Sequence, residues 1–168
     1  MEAAVAYSDL RVTWSIGSTG QRVPRLGWPE LDRYLDFVAG RCRPNTVLAT
    51  AFDLKVFFSV VDKAPAEVST SDVLGFITRQ RHGGAGRLQP VRDEGGVSER
   101  SVRRRLSTVS GLFAFLHARG EVSGNPVPRG LPTRREKSRP NQGVPLIRSR
   151  RTLPKILAPA EVDALVAA

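Results

Sequence analysis

A chain of 168 residues, 40% of them apolar, is long enough for one medium domain, or a small domain and a tail, and for a buried core. Its net charge of +10 and pI near 11.1 suggest a polyanionic partner. Cys42 is the only cysteine, so an intrachain disulfide is excluded, a cysteine-built zinc site is not expected, and a reducing, intracellular setting is the simplest reading.

The charge is unevenly placed. Residues 1–42 balance five acids against five arginines. Residues 98–119 carry Arg100, Arg103, Arg104, Arg105 and Arg119 against Glu99 alone. Residues 128–155 carry nine basic residues against Glu136 alone. No basic region followed by an apolar run opens the chain, so no signal peptide is expected. No apolar stretch approaches the roughly 20 residues of a membrane span, and the basic segments lack the apolar stripe of an interfacial helix. No membrane partner is expected.

Residues 1–28 are interrupted by Gly17, Gly20, Pro24 and Gly27. Val12 to Ile16 alternates like a short strand, but without a recognisable partner strand the segment reads only as an N-terminal arm. Trp14 is expected to dock on the domain. A first helix is expected over Pro29–Ala39, with Pro29 in its first turn and an apolar stripe of Leu31, Tyr34, Leu35 and Val38. Gly40 ends it.

A second helix is expected from Pro44 to about Val61. Val47, Ala51, Leu54, Phe58 and Val61 form one stripe, while Phe52, Val56 and Phe57 lie off it. A helix apolar on most sides belongs at the centre of a bundle. Arg43, Asn45 and Thr46 surround its N-terminus, where free backbone N–H groups suit phosphate; ordinary capping would account for the same residues. A third helix is expected over Thr70–Gln80, where Ser69 and Asp72 resemble a capping box and Val73, Phe76 and Ile77 face the core. The glycine-rich stretch from Arg81 to Val97 reads as a surface loop.

The longest helix is expected from Ser98, as its cap, to Gly120, whose left-handed conformation can end it. Val102, Leu106, Val109, Phe113 and Leu116 recur on one apolar stripe. Arg100, Arg104, Ser107 and Gly111 fall opposite, with Arg103 and Arg105 on the flanks. Such a face can be merely solvated, or it can meet a polyanion closely. Asn125-Pro126 closes this domain. Residues 128–153 have four prolines and no helical period, and read as an extended basic linker. Pro154 to Ala168 reads as a further helix, with an apolar edge of Val162, Leu165 and Val166. The chain thus divides into an arm (1–28), a helical domain (29–127), a linker (128–153) and the start of a second domain (154–168).

Catalytic motifs are missing. His82 and His117 are the only imidazoles, and no metal-ligand spacing, phosphate loop or nucleophile elbow is present. No cofactor and no metal site are expected.

Several stretches resemble one family. RPNTVLATAFDLKVFF, from Arg43 to Phe58, is similar to the second helix of the core-binding domain of tyrosine recombinases, the phage-integrase family. The matching residues are Pro44, Asn45, Thr46, Val47, Ala49, Asp53, Leu54, Lys55 and Phe57. Val68 to Ile77 resembles that family's third helix, and Ser101 to Val127 its fourth helix and exit. Leu153 to Leu165 resembles the start of its catalytic domain. Departures occur at Thr50, Ala51 and Phe52, where the family carries an aromatic and basic residues, and at Ala158, where a capping hydroxyl is common.

The resemblance implies an all-α, four-helix SAM-like orthogonal bundle with a basic linker and a C-terminal helix. It implies that double-stranded DNA at a recombination site is the partner, met by the second and fourth helices in the major groove, together with the recombinase's catalytic domain and other protomers. The expected DNA-contacting residues are Arg43, Asn45, Thr46 and Lys55 from the second helix. From the fourth they are Arg100, Arg103, Arg104, Ser107 and Thr108. Arg134, Arg135, Lys137 and Arg139 of the linker are expected to track the backbone. The family's catalytic arginines, lysine, histidines and tyrosine lie in the C-terminal domain, and neither Tyr7 nor Tyr34 matches the nucleophile motif. The chain is therefore expected to bind DNA without cutting it, in a cytoplasmic, nucleoid-associated setting. A protein-interaction module and a non-cutting regulator are the alternative expectations.

Overall fold

The computed structural model describes residues 7–17, 20–82 and 97–128, together with 130 and 147. A single turn of 3-10 helix, Tyr7–Asp9, leads into a β-hairpin of β1, Thr13–Ile16, and β2, Arg22–Arg25. Four helices follow: α1 (Pro29–Ala39), α2 (Pro44–Val61), α3 (Thr70–His82) and α4 (Glu99–Ala118). A second 3-10 turn, Pro65–Glu67, separates α2 from α3.

The domain is thus helix-rich but not all-α, which corrects the expectation from the resemblance. The strands pair antiparallel, with Thr13 opposite Arg25 and Ile16 opposite Arg22. The alternation from Val12 to Ile16 marked β1, but its partner was hidden because β2 contains Pro24. In a two-stranded sheet both strands are edges, where proline is tolerated. The hairpin docks through Val23 and Leu26, which are buried, while Trp14 stays exposed with the Arg22 guanidinium 5.1 Å from its ring centre. The expected docking of Trp14 is therefore not what holds the arm. That role falls to Tyr7, stacked on Trp28 with ring centres 3.9 Å apart and also touching Phe58. Burial first, then its 2.5 Å hydrogen bond to Glu30, raises the Tyr7 phenol well above the ordinary tyrosine range.

α2 is the central helix. Val47, Ala51, Leu54, Phe57 and Phe58 are buried along it. Phe57 packs edge-on against both Phe58 and Phe76 of α3, each 5.1 Å away centre to centre. By length and a mean hydropathy of 1.2, α2 is also apolar enough to cross a bilayer. The sequence expectation of no such segment is corrected to that extent: the apolar residues of α2 outweigh Asp53 and Lys55, which interrupt them. Here the helix is wrapped by α1, α3, α4 and the arm.

The helix ends follow local chemistry. Ser69 and Asp72 form the reciprocal box expected at the start of α3: the Ser69 N–H donates to Asp72 at 2.9 Å and the Asp72 N–H to the Ser69 hydroxyl at 3.3 Å. Lys63, the Ser69 backbone and the Ser69 hydroxyl all donate to the Asp72 carboxylate, which holds its pKa down at about 2. Ser98 accepts from the Ser101 N–H and caps α4. At the other end Gly120 is left-handed, φ 73°, so its N–H reaches the His117 carbonyl and that of Glu121 the Leu116 carbonyl. Asn125 donates to the carbonyl and hydroxyl of Ser110, both at 3.0 Å, and folds the exit back along α4.

Gly111 was placed on the outward face of α4, but it faces α1. A Cβ there would stand 2.5 Å from the Tyr34 hydroxyl oxygen. Gly111 is therefore the close-approach residue of the α1–α4 crossing. Gly111→Ala is expected to destabilise the domain by about 1–3 kcal/mol through overpacking. In a Tyr34→Phe background the same change should become neutral or stabilising, since alanine is the better helix former by about 1 kcal/mol. Urea midpoints of the four proteins test this. The Asp72 contribution is present above the ordinary aspartate pKa and is lost as pH falls toward about 2. The stability gap between the wild type and Asp72→Asn should therefore narrow from about pH 5 to about pH 3.

Candidate nucleic-acid interface

The expected contact residues that are described lie on α2 and α4, which pack side by side, and around the start of α2. Around the start of α2, Arg43, Asn45 and Thr46 are exposed, Pro44 fills the first turn, and no side chain caps the free N–H groups. The Thr46 carbonyl accepts from the Thr50 hydroxyl at 2.9 Å. Lys55 is half-buried further along the helix. On α4, Arg100, Arg103 and Ser107 are exposed, and helical spacing places them on one strip. Arg134, Arg135, Lys137 and Arg139, and the expected helix 154–168, lie outside the described residues. Ile147, within the expected linker, is buried with the core.

Arg104 and Thr108 have a second employment. Both donate to Oδ2 of Asp53, at 2.6 and 3.1 Å. Asp53 is the only acid within α2, and it is buried. Arg105 places its Nε 3.8 Å from the other carboxylate oxygen, and that Nε makes no hydrogen bond. Its guanidinium also donates to the Gln80 side chain of α3. Three helices thus meet at one carboxylate. Burial pushes the Asp53 pKa up, opposed by Arg104, Thr108 and Arg105; burial likewise lowers that of Arg105. Neither the role of Asp53 nor that of Gln80 is visible in the motifs of the sequence. The available signal was a lone acid inside an apolar 18-residue helix, which demands a cationic partner when buried.

The pairing removes the one carboxylate of α2 from solvent. On α4 the only acid is Glu99, in the first turn, where it complements the helix dipole. The Arg104 side chain remains 52% exposed, bridging the two faces. What results is a surface with several cations and few acids, set by two helices locked side by side. Among the described residues no group of three or more metal-ligating side chains stands together. His117 is exposed, its Nδ1 3.2 Å from the Val122 carbonyl.

A helical bundle carrying a hairpin arm and a basic two-helix face is the class that these features define. The family profile of the phage integrase N-terminal SAM-like domain matches residues 31–120, from the first turn of α1 to the end of α4. The chain belongs to that family. It is also similar to a protein of Eremothecium gossypii named mitochondrial import protein 1, with 32% identity over 111 residues, 66% of this chain and 68% of that one. No solved structure matches significantly.

Removing the central carboxylate should cost more than it would at the surface. Asp53→Ala leaves half-buried Arg105, whose Nε is shielded from solvent, without its counter-charge, and is expected to lower stability by about 3 kcal/mol in denaturant unfolding. Arg104→Ala, whose side chain is half in solvent, should cost less.

Proposed function

We propose that this chain is the DNA-clamping, core-binding domain of a site-specific tyrosine recombinase, with strand cleavage and rejoining performed by a separate catalytic domain. The observation that carries the reading is the pairing of Asp53 with Arg104. It leaves the outward faces of α2 and α4 presenting Arg43, Lys55, Arg100, Arg103 and Arg104 with α2's only acid buried. Family membership supports it, since α1 to α4 lie almost wholly within the matched residues. The exposed N-terminus of α2 adds backbone N–H groups suited to a phosphate.

On this reading the cations first neutralise backbone phosphates, which sets register and orientation, and side chains on the same faces then read base edges. The buried carboxylate holds the two helices at a fixed spacing, so both enter a groove as one body. Arg104 divides its guanidinium between Asp53 and solvent, which makes it a positioning residue as well as a cation of the face. The name of the Eremothecium protein points to mitochondrial import, but the packing of α2 inside a bundle of the integrase kind supports the recombinase reading.

Binding to short duplexes across a salt series tests the proposal. Affinity should fall steeply with salt, and Arg100→Ala should flatten the log–log slope by about one unit. Absence of binding at low salt would refute the proposal. Incubation with a nicked suicide substrate should give no covalent protein–DNA adduct; such an adduct would overturn the division of labour.

A further inference from the structure

α2 carries an apolar strip on the same outward face as its polar contact candidates. Phe52 is 48% exposed although Val47, Ala51, Leu54 and Phe58 of the same helix are buried. Helical spacing sets Asn45, Leu48, Ala49, Phe52, Lys55 and Val56 on one face. Leu48, Ala49, Lys55 and Val56 are half-buried there, and Asn45 is exposed.

The other exposed aromatic rings are occupied. Arg22 lies over Trp14, and Arg41 over Phe37, which also packs on Phe115. Among the described residues Phe52 has no ring stacking or cation–π contact. Its sequence neighbour Asp53 is turned inward onto Arg104. Phe52 therefore lies on the face of α2 that also carries Asn45 and Lys55, with no exposed acid of α2 beside it.

We propose that this strip reads thymine: Phe52, flanked by Leu48 and Ala49, packs against the C5-methyl groups of thymines in the major groove, so the DNA under α2 is A·T-rich. The inference rests on the DNA-clamping reading and names the bases met by one of its two helices. The chemistry follows from the groove. Thymine's methyl is its one apolar feature on that edge, and apolar side chains are its natural partners. Both base pairs present polar groups there, but only A·T adds a methyl, so a G·C pair under Phe52 desolvates polar edges without an apolar contact in return. The flanking cations supply attraction to phosphate, and Asn45 on the same face has the donor–acceptor pair that fits adenine. A second copy of this chain, seated on the strip through apolar contact alone, is the other occupant that the test below distinguishes.

The test compares one A·T-rich duplex with the same duplex in which deoxyuridine replaces thymidine, at fixed salt. The two differ only in methyl groups. Each methyl excluded from water contributes about fourfold in affinity. The wild-type chain should bind the uracil duplex more weakly by about fourfold for each methyl contacted. Phe52→Ala, a change at an exposed position, should narrow the difference between the two duplexes while keeping the wild-type salt slope. Equal binding of the two duplexes by the wild type would overturn the thymine reading and leave the clamp standing. Absence of binding to either duplex would overturn both. A Phe52→Ala chain with unaltered DNA affinity but lost self-association in sedimentation would assign the strip to a second copy of the protein, and overturn the thymine reading.

Discussion

A single buried carboxylate ties together the two helices that carry the basic face. Asp53 lies inside the most apolar helix of the bundle, where an isolated charge is far too costly to keep. Its cost is offset by Arg104, Thr108 and Arg105, all on α4 within two turns of one another. Arg105 reaches on to Gln80 of α3. Any sliding of α4 along α2 by one turn would separate these groups and strand a charge. The ion pair is thus a device of register more than of stability, since buried pairs contribute little net energy against a well-packed apolar alternative. The apolar contacts of Phe57, Phe58, Phe76 and Phe113 supply the drive to collapse; the carboxylate penalises any arrangement that parts it from α4.

On the proposed DNA-clamping reading, that register carries a functional consequence. A helix pair meets a groove as a rigid body only if its spacing is set before contact, and pre-set geometry spares the ordering cost of binding. The arrangement also clears the surface of negative charge: the one acid of α2 faces inward, and the one acid of α4 sits at its dipole-favoured end. Gly111 contributes to the same precision from the other side. By admitting the Tyr34 hydroxyl against the α4 backbone, it lets α1 and α4 cross closely, and the exposed strip of α4 is then held from below.

The arm shows how a small domain extends its core with few residues. Tyr7, Trp28 and Phe58 form a stack in which one ring comes from the 3-10 turn, one from the start of α1 and one from α2. Arg25 ties β2 to α1 through Asp36 at 2.7 Å, and Asp32 accepts from the Leu26 and Gly27 amides. The hairpin is therefore part of the folded unit, although the family match begins only at residue 31.

Helix limits were legible in the sequence because they are local. Pro29 and Pro44 in first turns, the Ser69–Asp72 box, Ser98 and Gly120 act through backbone groups a few residues away, and the apolar spacing of α4 named its buried side correctly. The basic excess and its concentration in α4 were equally plain. What only the tertiary structure decided depends on residues far apart in the chain. The partner of β1 was masked by Pro24, Gly111 was assigned to solvent until Tyr34 approached it, and the arginines of α4 all looked alike. Fifty-one residues separate Asp53 from Arg104, and no local rule indicates which arginine a buried acid will draw inward. Sequence determined that α4 would be basic; packing around one carboxylate determined which of its cations are tied down and which face outward.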